Sequence, residues 1–518
     1  MTGIFRDLQF GARVLINAPG PALTAILTMA LGIGVNTTVF GWIDRLLLNP
    51  LPGVSRPEQL VSLETVGPSG ESLTTSYRDY RDYRDHLQGV SGTAASLLNS
   101  FIVGDDDRPR RTWGEFVSGN YFDVLGVTPE RGRFLESDEK DDRPGAHPLA
   151  VISHRLWQDQ FNGAQDIIGR TIRVNKNELT VIGVAPAAFR GAVPGLALDI
   201  WIPIVMGPQL NGQGSWLLND RSERQTWVTI RLAPGATIAQ VSAQAAAIAA
   251  EIARQNPAAS SGFSATVLPV WKGHFGAHAL LTEPLKIIMA TCFIVFLIVA
   301  ANVANLQLAR ATARVKEFGV RLALGAGAGR IIQQLLAESF ILSASAAALG
   351  IVFALWVAQA LAWLMPPLSV PIVVDIAPNL RLFLFVGGLC TSAAVMAGLA
   401  PAIHSLKGSL NDTLRDGSRG STSGGAGQRL RELLVVMEVA LSLVLLIGAG
   451  LMMRSFLHLS HVPPGYEPKN LIAATLSLPP QRYATLEQEE EFFNRLKINL
   501  AAVPGVETAT AAMGVPPH

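Results

Sequence analysis

From Ile287 to Ala309 the chain runs 23 residues without a charge, IIMATCFIVFLIVAANVANLQLA. At 1.5 Å rise per residue a helix of that length is about 34 Å long, enough for a hydrocarbon core of about 30 Å. Four more windows share this character. Val14 to Ile43 is uncharged over 30 residues. A signal peptide has an apolar region of only about 7–15 residues and a small-residue cleavage site, which Asn36, Thr37 and Thr38 do not resemble. That window therefore reads as a retained span. In all, spans are expected at 21–48, 284–309, 335–365, 381–406 and 430–455, with Pro401 kinking or ending the fourth. Ahead of them, Ile4, Phe5, Leu8, Gly11, Ala12 and Leu15 fall near one helical face, so 1–20 reads as a short helix lying at the membrane interface.

Only 16% of the 518 residues are charged, against an average of about 25%. The deficit is confined to the apolar windows, so a soluble part accompanies the spans. A net charge of +1 gives no argument for a nucleic-acid partner. The two cysteines, Cys292 and Cys390, both sit in apolar runs and read as small packing residues rather than a disulfide framework.

Orientation follows from the short loops, because Lys and Arg concentrate on the cytoplasmic side. The loop 310–334 carries Arg310, Arg314, Lys316, Arg321 and Arg330, and the linker 407–429 carries Lys407, Arg415, Arg419 and Arg429. The loop 366–380 carries none. Both basic loops, and with them the N-terminus, are expected in the cytoplasm, and residues 49–283 outside.

The outer block reads as mixed α and β. LVSLET (60–65), the start of LAVISHRLW (149–157), WVTIRL (227–232) and FSATVLPV (263–270) look like strands, and SYRDYRDYRDHL (76–87) like a polar helix. TIRVNKNELTVIGVAP (171–186) reads as a hairpin about a turn at Asn175–Asn177. Ile238, Val241, Ala245, Ile248 and Ile252 repeat at helical spacing. Strand–helix–strand units at both ends leave about 105–221 as an inserted subdomain. After the linker the chain starts again: PGVSRPEQLVSLE (52–64) resembles PGYEPKNLIAATL (464–476), and LQGVSGTAA (87–95) resembles VPGVETATA (503–511). Residues 456–518 are thus expected to be the truncated start of a second outer domain.

Catalytic chemistry is hard to find. There is no GxxxxGK[ST] phosphate loop, and Gly32–Ile33–Gly34 lies inside a span, so a P-loop ATPase is excluded. His274 and His278 are four apart, but Gly273 and Gly276 argue against a helix to present them as metal ligands. Asn36, Asn302, Asn305, Gln307 and Glu338 read as hydrogen-bonding groups between spans rather than a proton path. The chain is expected to be no enzyme and to need no cofactor or metal. What stands out is the loop 310–334. Arg314, Glu317 and Arg321 recur at spacings of three and four, which gives one helical face, and Phe318 and Leu322 give another, before a stop at Gly325. Topogenic charge alone does not require this order, and the segment reads as a helix docking on a cytoplasmic partner.

At these residues the chain resembles a known family. ARVKEFGVRLALGA (313–326) resembles the signature loop of MacB/FtsX-type ABC permeases. YFDVLGVTPERGRFL (121–135), AVISHRLWQDQF (150–161), GRTIRVNKNELTVIGVAPAAFRG (169–191) and DIWIP (199–203) resemble the MacB-type periplasmic core domain. The reopened second outer domain resembles the acidobacterial duplicated orphan permeases, whose full members have eight spans. The resemblance implies an α-helical multi-pass protein of the bacterial inner membrane, with an α+β core domain inserted between spans one and two. It implies a permease subunit served by a separate cytoplasmic ABC ATPase, transmitting ATP-driven closure to the outer domain for efflux or for lipoprotein and envelope substrates. Arg310, Arg314, Lys316, Glu317, Arg321, Gly325 and Ala326 would form the ATPase-coupling loop. Besides the bilayer, a periplasmic adaptor or substrate protein and a homodimer stand as further partners. Two alternatives stay open: an FtsX-like regulator of a periplasmic partner such as a cell-wall hydrolase, and a non-functional truncated remnant.

Overall fold

The computed structural model describes residues 19–48, 51–104, 109–136, 143–193, 195–211, 216–274, 277–313, 320, 327–364, 378–407, 425–462, 471–472, 476, 483 and 486–511. In chain order the helices are α1 (Pro19–Ile43), α2 (Tyr77–His86), α3 (Tyr121–Leu125), α4 (His154–Phe161), α5 (Gly207–Asn211), α6 (Trp216–Asn219), α7 (Ile238–Gln255), α8 (Pro257–Ser260), α9 (Ala277–Ala313), α10 (Ala328–Leu364), α11 (Leu380–Lys407), α12 (Gly425–Ser460) and α13 (Leu486–Ala501). The strands are β1 (Leu60–Val66), β2 (Ser72–Leu73), β3 (Thr75–Ser76), β4 (Val90–Val103), β5 (Arg110–Val117), β6 (Arg131–Gly132), β7 (Leu149–Ser153), β8 (Thr171–Val174), β9 (Asn177–Ala185), β10 (Ile200–Pro203), β11 (Arg224–Leu232) and β12 (Ser264–Pro269). Contacts divide the chain into a helical unit and a sheet unit. The interfacial helix expected at 1–20, the linker 408–424 and most of the repeated segment after 463 lie outside the described residues.

In the helical unit five helices are long and apolar enough to cross a membrane: Pro19–Leu48, Leu281–Ala311, Gly329–Ala360, Leu380–Leu399 and Glu432–Ser460. Four of them share one core. Met29 and Ile33 of α1 meet Phe296 and Val303 of α9, Leu342 and Ala346 of α10, and Leu389 and Ala393 of α11. Spans one and three cross at glycines. A Cβ on Gly34 would lie 3.0 Å from the carbonyl oxygen of Gly350, and a Cβ on Gly350 would lie 3.1 Å from Ala30 O. Only glycine lets two backbones approach this closely. The other small residues of the spans do not all serve this purpose: Gly387, Gly388, Gly448 and Gly450 have open space where a Cβ would go. Asn36, fully buried, donates through Nδ2 to Gly32 O and to Cys292 O, both at 2.8 Å, and so ties span one to span two. Where the first span ends, Arg381 donates to Leu48 O at 2.8 Å, and Asn379 bonds both Asp44 and the amide of Leu382. The start of the fourth span is thereby fastened to the end of the first. Pro401 does not end that helix, which continues to Lys407.

The sheet unit is built on one sheet, twelve strands among the described residues, in the order β12-β1-β11-β4-β5-β10-β7-β9-β6. β2 pairs β1, β3 pairs β11, and β8 pairs β4 and β9. The β5–β10 and β7–β9 pairs are parallel and the remaining pairs antiparallel. The chain leaves the β11–β4 region by the long hairpin β4–β5, builds β6 to β10, and returns at β11 beside β4. The segment 105–221 is an excursion in sequence that extends the same sheet.

Local signals explain the elements. In β11 Thr226, Val228, Ile230 and Leu232 are buried and alternate with less buried neighbours, the period of two that a strand imposes. The β8–β9 hairpin turns on Asn175 and Lys176, both with positive φ, as a two-residue loop requires. Helix α7 opens with a capping box: Thr237 Oγ1 accepts from Gln240 N, and Gln240 Oε1 accepts from Thr237 N. It buries Val241, Ala245, Ala249 and Ile252. Helix α2 is less polar in role than in composition, since Tyr77, Tyr80 and Tyr83 bury at spacings of three against the same core. That core lies on one sheet face. A second core, on the other face, holds Leu51, Leu60, Phe122, Phe134, Phe189, Trp201 and Val270.

Candidate functional site

The expected coupling residues belong to the connection between the second and third spans. Of the seven, only Arg310 falls among the described residues; Arg314, Lys316, Glu317, Arg321, Gly325 and Ala326 lie outside them. Arg310 stands in the last turn of α9, half-buried, and its Nη2 finds no hydrogen-bond partner among the described residues. The charge that acts on it is Glu338 of α10. Glu338 is itself buried and accepts from Gln334 Nε2 at 3.3 Å. A guanidinium this far out of water needs an opposite charge, and a buried carboxylate needs the same. The two therefore mark the polar floor at which the apolar parts of spans two and three stop. Glu338 was legible only as one of several polar residues in spans, because its position against Arg310, 28 residues away, depends on how two helices pair. Past the loop, α10 begins with Arg330 N bonded to Gly327 O at 2.9 Å, and it buries Ile331 and Leu335.

The sheet unit carries its own polar constructions on the face opposite α7. Arg231 of β11, paired in register with Leu60, spreads its guanidinium over four acceptors: Val124 O at 2.6 Å, Ser55 O at 2.8 Å, and Arg56 O and Gln59 Oε1, both at 3.3 Å. All four are neutral oxygens. Burial first, and then the charge of Arg56, lower its pKa from the usual arginine value, while Glu58 opposes the shift. Arg56 is held at φ 45, a conformation that costs a non-glycine residue about 1–3 kcal/mol unless its surroundings hold it. Gly126, which closes α3 at φ +61, leaves room for Ser55, whose Oγ would lie 2.0 Å from any Cβ there.

Two residues along β1 from Ser62, and on the same face, stands Glu64, 1% exposed. Its Oε1 accepts the backbone N–H of His274 and its Oε2 lies by His274 Nδ1, both at 2.7 Å. Ser72 Oγ is 3.0 Å from the same ring nitrogen. The sequence-level interest in His274 as a metal ligand is thereby met by a hydrogen bond to a carboxylate. The side chain of His278 lies outside the described residues.

In the core of that face Glu115 is fully buried. Tyr121 Oη donates to its Oε2 at 2.7 Å and Trp201 Nε1 donates to the same oxygen at 3.1 Å. Ala192 N in turn donates to Tyr121 Oη at 3.0 Å. Burial pushes the Glu115 carboxyl above the usual range, and the Tyr121, Ser96 and Trp201 hydrogen bonds only partly offset this.

These geometries can be set beside known proteins. Residues 22–248 match the family model of the MacB-like periplasmic core domain, and residues 289–410 match that of the FtsX-like permease C-terminal region. The chain belongs to the MacB/FtsX-type permeases. As in that family, an extracytoplasmic α+β core domain lies between the first and second of several spans, in a multi-pass bacterial inner-membrane protein. Among curated relatives, the macrolide export ATP-binding/permease protein MacB of Shigella boydii is 26% identical over 289 residues, 55% of this chain and 40% of that one. Its counterpart in Escherichia coli K12 is 26% identical over 252 residues, 48% of this chain and 36% of that one. The matched region thus spans well under half the length of these MacB proteins. Among solved structures, the periplasmic region of MacB from Actinobacillus actinomycetemcomitans is 13% identical, with a TM-score of 0.31 over 45% of this chain and 94% of that one. A domain of a permease protein from Porphyromonas gingivalis is 16% identical, with a TM-score of 0.32 over 42% of this chain and 91% of that one.

Proposed function

We propose that this chain is the permease subunit of an ABC transporter, coupling ATP hydrolysis by a separate cytoplasmic ATPase to movement of its extracytoplasmic domain. The work would be efflux, or the handling of lipoprotein or other envelope substrates. The observation that carries the reading is that the two family matches fall on either side of the connection into the second span and together include the basic loop. A chain with that loop and no phosphate-binding motif must take its ATP-driven motion from another subunit. Arg314, Lys316, Glu317, Arg321, Gly325 and Ala326 would meet that subunit, with Arg310 at their membrane end and the N-terminus on the same, cytoplasmic side.

The test is co-purification of the tagged full chain with a cytoplasmic ATPase, followed by the hydrolysis rate of that ATPase with and without the chain. Retention and a several-fold stimulation are expected. The exchange of charge Arg321→Glu with Glu317→Lys should abolish both while leaving the chain in the membrane. If the double variant retains its ATPase as the parent does, the docking assignment is wrong.

A further inference from the structure

The sheet unit is joined in sequence to spans one and two by two legs. One runs from Leu51 to Gln59 ahead of β1, and the other from Val270 to His274 after β12. Only residues 49–50 and 275–276 separate these legs from the helices of the first and second spans. Both legs lie on one face of the sheet, with Leu51 and Val270 in the same core. Each is seized by one charged side chain of the β1–β11 pair: Arg231 holds the carbonyls of Ser55 and Arg56, and Glu64 holds the amide and ring of His274.

We infer that Arg231 and Glu64 are positioning residues that make both legs part of the sheet's rigid body. Displacement of the first or second span then moves the sheet instead of unwinding a leg. The inference rests on the permease reading, in which motion must reach the outer domain. The physical reason is slack. Nine unanchored residues, 51–59, can extend to about 30 Å at 3.3–3.6 Å each, so a span displacement of a few ångströms would be lost in them. Anchors at 55–56 and at 274 leave only a few residues free on each leg. Their chemistry suits the task. An apolar residue at either position would serve the core as well, since the neighbouring positions on that face are Leu60 and Trp227. An arginine fork binding two consecutive carbonyls, and a carboxylate binding both an amide and a ring nitrogen, instead fix the direction of the backbone as well as its distance.

Amide hydrogen exchange on the full chain in detergent micelles tests this. Arg231→Met should speed exchange about tenfold or more at Val54, Gln59 and Leu60, and Glu64→Leu should do so at Gly273 and His274. The strand amides of Leu97–Val103 should keep their parent rates in both. Arg231→Lys, which keeps the charge but loses the fork, should fall between parent and Arg231→Met. Glu64→Gln, which keeps an oxygen for the His274 amide, should stay within about threefold of the parent. Unchanged legs in all four variants would overturn the inference. So would an acceleration spread evenly through β4 and β5, which is ordinary loss of domain stability. No ATPase enters this measurement. A chain that retains no ATPase therefore removes the permease reading without deciding the anchors, and loose legs remove the anchors without affecting ATPase retention.

Discussion

Glu115 shows what a single residue can carry without advertising it. It sits in RRTWGEFV, a strand in which both faces are buried, so alternation gives no hint that its carboxyl is sealed in. The partners that define it, Tyr121 and Trp201, are 6 and 86 residues away. Because burial raises the folded-state pKa, the native domain binds this proton more tightly than the unfolded chain does. Its contribution to stability is therefore full below the unfolded carboxyl value and declines as pH rises through the folded one. Glu115→Gln copies the protonated form and should flatten the fall in unfolding temperature between about pH 5 and pH 9. Glu115→Leu should cost about 3 kcal/mol, because it strands the Tyr121 hydroxyl and the Trp201 indole N–H. Thermal unfolding at three pH values measures both, and an unchanged slope in Glu115→Gln would assign the pH dependence to other groups.

Elements were most readable where their signals were local. The Asn175–Lys176 turn, the Thr237 cap and the period of α7 each depend on residues within a few positions, so sequence and structure agree there. Pairing between helices is different. Gly34 and Gly350 are two glycines among 48, and nothing local says that these two meet while Gly387 and Gly388 do not. Gly34→Val or Gly350→Val should push spans one and three apart and destabilise the bundle by about 1–3 kcal/mol. Gly387→Val should leave it unchanged. Resistance to unfolding in detergent compares the three, and equal losses would show that the crossing at Gly34 has no special place. The fate of Pro401 belongs here too. A proline predicts a missing hydrogen bond, but whether the helix stops depends on the residues beyond it, and α11 continues to Lys407.

For the whole molecule, orientation rests on charge and is consistent with helix order. Arg381 and Asn379 at the start of the fourth span bond Leu48 and Asp44 at the end of the first, which places those two ends on one side of the membrane, as four alternating spans demand. Asp220→Cys should react with a membrane-impermeant maleimide in intact spheroplasts. Ser418→Cys, in the basic linker, should react only after lysis. The reverse pattern would invert the topology and move the coupling loop away from any cytoplasmic ATPase.

The sequence alone determined that this chain crosses a membrane several times, which side its basic loops face, and which family it resembles. Hydropathy, charge asymmetry and motif order are properties of the linear chain, and the bilayer reads them segment by segment. Tertiary structure alone decided which polar residues matter between segments: Arg310 with Glu338, Glu115 with Tyr121 and Trp201, Arg231 with the first leg and Glu64 with the second. A buried polar group is tolerated only when a partner arrives from elsewhere in the chain, so its role becomes visible when the fold brings that partner to it.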